Sequence, residues 1–285
     1  MKVYKKIKKK LPSAKLMFEM WWANRTQQQP RTFDPSANVH VSLTSYGKRI
    51  DKVYFTIESI MRQSADMSSI TLYLYREDIK QSGIPKSLAR LQKRGLRIEL
   101  VDQDLRSYKK LYYAYLEHFN SGNSEARLVT ADDDVFYSET WLAKLLEGAE
   151  QHPDKVIAYR GHTISLNADG QMQPYREWKD GFDNERFLPT GVAGVLYPIA
   201  SLKNLEKQSK EFMSLCAFAD DLWFKCLTLS NGYLAHQVED CHDSNPPAIL
   251  TLNTKRRGLA LYNVHQGGND VQMRNTVEYF SLSFA

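Results

Sequence analysis

The sequence predicts an α/β protein with a mostly parallel central sheet flanked by helices, followed by a mixed C-terminal half. Three observations carry this. Strand-like apolar runs alternate with amphipathic helical patterns four times between residues 39 and 151, the signature of β-α units and a parallel sheet. The 285 residues are 42% hydrophobic and 25% charged, enough to bury one large core. The fourth strand pattern ends in three consecutive aspartates, at the strand end where such sheets bind ligands.

The elements follow in order. VHVSL (39–43) alternates like a strand, and DKVYFTIESIMRQ sets Val53, Ile57, Ile60 and Met61 on one helical face. ITLYLY (70–75) is a second strand. The next helix takes Pro85 in its first turn, aligns Leu88 with Leu91 and stops at Gly95. LRIELV (96–101), the helix over 108–119 with Leu111, Tyr115 and Phe119 aligned, ARLVTA (126–131) and the helix over 138–151 complete the four units. Beyond them we expect a strand at 155–159, a hairpin turning at 168–170, a small-residue loop into a strand at 188–198, a helix over 218–232 and a strand at 233–238. The stretch after that has no clear pattern.

The chain carries a formal charge of +5, but MKVYKKIKKKLPSAK holds seven lysines and no acid, and without them the charge falls to −2. The basicity belongs to a leader, so no nucleic-acid partner is expected. Cys216, Cys226 and Cys241 form an odd set without paired spacing, which fits reduced thiols and a cytoplasmic protein. No run approaches the ~18 apolar residues of a membrane span. We divide the chain into a basic amphipathic leader and linker (1–37) and a single catalytic domain (38–285), with halves at 38–137 and 138–285. In the leader Val3, Ile7 and Leu11 recur every four residues among the lysines, followed by Phe18, Trp21 and Trp22. Residues 1–25 suit an anionic membrane surface, which would make the protein peripheral on the inner face of a bacterial plasma membrane. A basic segment leading into a helix packed on the domain is the competing reading. Pro12 is expected to split the leader into two short helices.

LVTADDDVFY (128–137) carries the chemistry. On an extended backbone Asp132 and Asp134 converge while Asp133 points away. Two convergent carboxylates make a hard oxygen site for Mg²⁺ or Mn²⁺, completed by phosphates and water. An acidic surface turn is the alternative. Lys109 and Lys110 would add positive charge to such a site, with a solvated helix start as the alternative, and Gly191 and Gly194 either permit close backbone approach to a substrate or form a tight bend.

VSLTSYGKRI, RSYKKLYYAY, TADDDVFYSETWLAKL, GVAGVLYP and ADDLWFK, in this order over roughly 38–230, resemble nucleotide-sugar-dependent glycosyltransferases of the GT-A fold. The resemblance is to a bacterial group, family-2-like, encoded among capsule and lipopolysaccharide genes. It implies that Asp134 is the main metal ligand and that Asp132 is shared between metal and ribose. Thr44, Ser45, Tyr46, Arg49, Lys109, Lys110 and Asp133 would then line the donor site. Asp221 would be the catalytic base with Asp220 beside it, and Gly191, Gly194 and Trp223 would lie on the acceptor side. It further implies a late histidine as third metal ligand, His265, with His236 and His242 as competitors. The implied activity moves a hexose or galactofuranose from a UDP-linked donor to a bacterial surface-polysaccharide acceptor that is itself a glycan or lipid-linked glycan, with inversion. The readings set against it are a nucleotidyltransferase, for which SLTSYGKRI lacks a convincing triphosphate loop, and a non-enzymatic membrane-surface binding protein.

Overall fold

The computed structural model describes residues 2–181, 185–239, 244–250 and 261–284, with side chains from Ser13 onward in the first helix. Cys241 and His242, and the side chains of Val3, Ile7 and Leu11, lie outside the described residues. The elements run α1 (Lys2–Thr26), β1 (Val39–Thr44), α2 (Val53–Ile60), β2 (Ser69–Tyr75), α3 (Arg76–Ile79), α4 (Lys86–Gln92), β3 (Arg97–Val101), α5 (Lys109–Asn120), β4 (Arg127–Ala131) and α6 (Trp141–Gln151). The second half holds β5 (Val156–Ala158), β6 (Gly161–Thr163), β7 (Lys179–Asp180), β8 (Phe187–Pro189), β9 (Val195–Pro198), α7 (Ser209–Leu215), α8 (Asp220–Ser230), β10 (Ala235–Gln237) and α9 (Gly268–Tyr279). The four expected β-α units are present, and the hairpin at 168–170 closes through an Asn167–Gln171 backbone bond.

Among the described residues seven strands form the main sheet, in the order β10-β5-β9-β4-β1-β2-β3. β9 runs antiparallel to both its neighbours and the other pairings are parallel. A small antiparallel sheet, β7-β6-β8, stands apart. From β1 the chain winds outward through β2 and β3, then returns to place β4 on the other side of β1. The sheet thus reverses direction between β1 and β4, and at such a point the loops diverge and leave a crevice. Leu43 pairs with Ala131, so the two strands end level and present Ser45 and Asp133 to each other.

Strand alternation splits the core into two. Val39, Val41, Leu43, Val129 and Ala131 face one side, packing with Ile57 of α2, Leu88 and Leu91 of α4 and Trp141 of α6. Leu128, Val195 and Tyr197 face the other, with Leu111 of α5, Phe212 of α7, Phe224 of α8 and Met273 of α9. On that second face β1 offers Ser42, whose hydroxyl donates to the Lys110 carbonyl at 2.6 Å. A small polar residue there lets α5 lie close against the strand. Phe119, expected on the inner face of α5, is half exposed and stacks on Tyr115 instead.

Two expectations about the N-terminal region are corrected. The helix continues through Pro12 as one element. A proline removes one backbone donor, and the turns that follow are locked down: Met20 and Ala23 enter the core, while Asn24 donates to Glu58 at 2.9 Å and accepts from Arg90 at 2.9 Å. Residues 27–38 are a docked strap rather than a free linker. The Arg31 guanidinium donates to the carbonyls of Met61, Gln63 and Ala65 at 2.8–3.0 Å, satisfying the orphan carbonyls beyond α2.

Glu58 is the pivot of this dock, since its carboxylate, fully buried, also takes Arg94 at 2.7 Å. Glu58→Ala leaves a buried guanidinium uncompensated and is expected to cost about 3–5 kcal/mol. Urea unfolding of the variant against wild type measures it.

Candidate active site

At the reversal point between β1 and β4 lies a cleft of about 620 Å³. Seven aspartates line it (Asp78, Asp104, Asp132, Asp133, Asp134, Asp220 and Asp221) against four cations, Arg49, Arg106, Lys109 and Lys110. The two carboxylate pairs singled out in the sequence, far apart along the chain, therefore share one space.

The aspartate triplet does not stay extended. The backbone bends at Asp133 and Asp134, so all three side chains reach the cleft. Asp133, expected to point away, is the buried one: it accepts from the Ser45 hydroxyl at 2.6 Å and from Arg49 through both nitrogens of a bidentate pair. Its role is to seat Arg49, which also reaches Asp134 at 2.9 Å. Asp132 pairs with Lys110 at 2.9 Å, and its N–H donates to the Tyr137 hydroxyl at 2.8 Å. Asp134 is 49% exposed to the cleft. Burial raises its carboxyl, Arg49 opposes this, and the neighbouring Asp133 and Asp132 raise it further.

Lys110 is the hub. Its ammonium is buried and lies 2.9 Å from Asp132 and 3.4 Å from Asp220. Burial alone would lower its pKa, but Asp132, Asp220 and Asp221 hold it well above the ordinary lysine value. Asp221 accepts from the Gly191 N–H at 3.2 Å. Burial first, then the adjacent Asp220, push the Asp221 carboxyl up to about 7, with Lys110 opposing. Gly191 is the point on which these groups converge. A Cβ there would stand 3.1 Å from Asp221 Oδ1, 3.2 Å from Lys110 Nζ and 3.8 Å from Asp132 Oδ1. The two carboxylate oxygens are consequently no more than about 7 Å apart.

The remaining expected residues divide. Thr44 lines the cleft with its hydroxyl donating to the Tyr73 carbonyl at 2.8 Å, and Tyr46 stands exposed at the rim with Arg49 5.5 Å from its ring centre. Lys109 lines the cleft but is closed off by Asp104. Ser45 is buried and its hydroxyl is used on Asp133, so it supports the site from beneath. Gly194 and Trp223 are corrected. At φ +96° Gly194 packs beneath the Trp141 indole, where a Cβ would fall 2.5 Å from the ring; its smallness serves packing. Trp223 is fully buried among Phe212, Tyr279 and Phe280, with its indole N–H on Gln208. On α8 it points inward, two residues after an aspartate that points to the cleft. His265 ends a π-helical turn, Leu261–His265, and does not line the cleft; His236 sits on β10 against His152. Sequence reasoning missed Asp78, Asp104, Arg106, Ser107, Val192 and Phe218. Arg106 adopts φ +53° and lays its guanidinium 3.8 Å over the Phe218 ring. Only the turn chemistry of Asp104, which accepts from the Arg106 N–H, hinted at that kink.

Among the described residues no three His, Cys, Asp or Glu side chains form a ready metal cage. The donor set nevertheless fits a hard divalent cation. Among the described residues the cleft has three more carboxylates than cations, and Asp132 and Asp134 present oxygens beside Arg49 and Lys110. An anionic diphosphate entering such a cleft requires added positive charge, which Mg²⁺ or Mn²⁺ bound by one or two carboxylates supplies.

The elevated Asp221 pKa makes a stability prediction. A carboxyl raised in the folded state favours folding below its ordinary range near pH 4, and that contribution is lost as pH rises through about 7. Asp221→Asn removes the penalty, so the variant is expected to melt higher than wild type at pH 8 and to show a flatter profile between pH 4 and 7. Thermal melts from pH 4 to pH 8 read both.

No protein-family model and no curated protein matches the chain. Solved structures do match. A 4-diphosphocytidyl-2C-methyl-D-erythritol synthase aligns at 10% identity and TM-score 0.43, over 79% of this chain and 98% of that one. S. aureus TarS 1–349 in complex with UDP aligns at 14% and 0.45, over 71% and 58%. The mannosyltransferase PcManGT from Pyrobaculum calidifontis, in complex with GDP-Man and Mn²⁺, aligns at 11% and 0.49, over 98% and 76%.

Proposed function

We propose that the protein is a metal-dependent glycosyltransferase of GT-A-like fold, transferring a hexose or galactofuranose from a UDP-sugar to a bacterial surface-polysaccharide acceptor. The observation that carries this is the meeting of two separate carboxylate pairs in one cleft at the sheet's reversal point, where Lys110 links Asp132 of one to Asp220 of the other. One pair suits a cation and diphosphate; the other holds a carboxyl near neutrality.

In this reading residues 38–137 supply the donor half and 138–285 the acceptor half. Tyr46 at the rim stacks on the base, and Arg49 with Lys110 face the diphosphate. Asp132 and Asp134 would hold a cation, Mn²⁺ or Mg²⁺, which when bound would supply positive charge for the departing diphosphate. Asp221 accepts the proton of the attacking acceptor hydroxyl. A base whose pKa lies near the working pH combines a useful ionised fraction with adequate basicity, and about 7 meets that condition. The Gly191 N–H and Lys110 steady the anion, while burial and Asp220 keep it basic. A carboxylate base acting directly on the acceptor inverts the anomeric centre.

The deciding experiment is thermal unfolding with UDP, GDP, CMP or ADP, each with and without Mn²⁺. A ligand that binds only the folded state adds ~2.7 kcal/mol at a hundredfold excess over Kd. We expect a rise with UDP that needs Mn²⁺ and disappears in Asp134→Ala; the absence of any nucleotide-dependent shift would overturn the donor site. Once a donor sugar is found, kcat/KM should climb with pH and level off above about 7, because the base is active when ionised. Asp221→Asn should lower kcat by about 10²–10⁴-fold.

A further inference from the structure

The transfer chemistry leaves one conspicuous surface unused. On α1, Phe18, Trp21 and Trp22 are 63%, 36% and 56% exposed. They touch one another, with ring centres 5.9–6.5 Å apart, and Arg25 lies 4.0 Å over Trp21. Three adjacent large aromatics facing solvent mark an interaction surface. The opposite face of the helix is fixed to the body by Met20, Ala23 and Asn24, so the trio cannot turn inward. In the sequence Tyr4, Ile7 and Leu11 precede Phe18 and Trp22 at spacings of three, four and seven, which continues one helical stripe toward the N-terminus. Lysines 2, 5, 6, 9 and 10 fall off that stripe, while Lys8 and Lys15 lie along its edge.

We propose that α1 is an interfacial anchor whose aromatic face enters the headgroup region of an anionic lipid bilayer. The seven lysines among the first fifteen residues, with no acid, require a partner that is both apolar in depth and negative at its surface. An anionic leaflet offers both: Trp and Phe partition to the interface, and lysines gain from the negative surface potential. A second copy of the chain does not. A two-fold contact sets the same patch against itself, which would bring two lysine-rich segments together. Among the described residues no helix is long and apolar enough to cross a membrane, so the association is with one leaflet. The inference does not rest on the transferase reading.

The test is cosedimentation of the 285-residue chain with phosphatidylcholine vesicles and with mixed phosphatidylcholine–phosphatidylglycerol vesicles, at low and high salt. We expect at least tenfold tighter binding to the anionic vesicles, weakened by salt. Phe18→Ser, Trp21→Ser and Trp22→Ser combined should lower that binding at least tenfold while leaving the melting temperature unchanged, because all three side chains are exposed. Lys5, Lys6, Lys9 and Lys10 all changed to Gln should remove the preference for anionic lipid. Equal sedimentation of wild type and the aromatic variant, or no sedimentation of wild type with anionic vesicles at low salt, overturns the proposal. So does light scattering that finds a dimer dissociated by the aromatic changes. The UDP- and Mn²⁺-dependent melting shift, measured on the same variants, reports separately on the donor site.

Discussion

The site depends on one buried ammonium. Lys110 pairs with Asp132 and Asp220 and also feels the charge of Asp221. Charges brought this far from water repel or attract strongly, so without the cation the three carboxylates would drive one another apart or take up protons. Its position is set on several sides. Ser42 holds its backbone carbonyl against β1. The Tyr137 hydroxyl fixes the Asp132 amide, and the Tyr137 ring lies 4.2 Å from that of Trp141. Trp141 in turn donates to the Ala193 carbonyl at 2.7 Å and packs over Gly194. The loop bearing Asp132 and the turn bearing Gly191 are thus pinned by the same buried aromatic pair. Gly191 then admits the carboxylates to the lysine because it has no side chain of its own.

Much of this was legible in the chain. Strand and helix periodicity located the four β-α units because β1, β2 and β4 are short, mostly buried apolar runs while α4 and α6 each turn one apolar face inward. The aspartate triplet stood out because three adjacent carboxylates between core segments need an explanation. What the pattern could not convey was how the backbone turns after Ala131. Alternation assumes an extended chain, and Arg49 rewards a bend that turns Asp133 onto its guanidinium. The same limit applies to Trp223. An aromatic two residues from Asp221 looks like a substrate contact in the sequence, yet 200° of helical rotation carries it into the core. A glycine such as Gly194 suits a tight bend as well as close approach to a ligand, and here its bare backbone packs against Trp141. The N-terminal strap misled for a related reason. TQQQPRTFDPSAN has linker composition, but the single Arg31 finds three carbonyls across the fold, and long-range satisfaction of that kind leaves no local trace.

The two aspartates that open α8 show how adjacent, identical residues acquire different chemistry. They occupy its first turn, where unpaired backbone N–H groups favour negative charge. That influence is shared, so it cannot distinguish them. Successive helical residues diverge by ~100°, and this separates their partners. Asp220 turns to the Lys110 ammonium. Asp221 turns to the Gly191 N–H, a neutral donor, and feels Lys110 more weakly than it feels burial and the charge of Asp220. A carboxylate with a full cation beside it is held in place by an ion pair. One with a peptide dipole, a like charge at its side and little water titrates near neutrality. Of the pair, only the second has the electrostatics of a base, and the division follows from helical rotation and the place of one lysine.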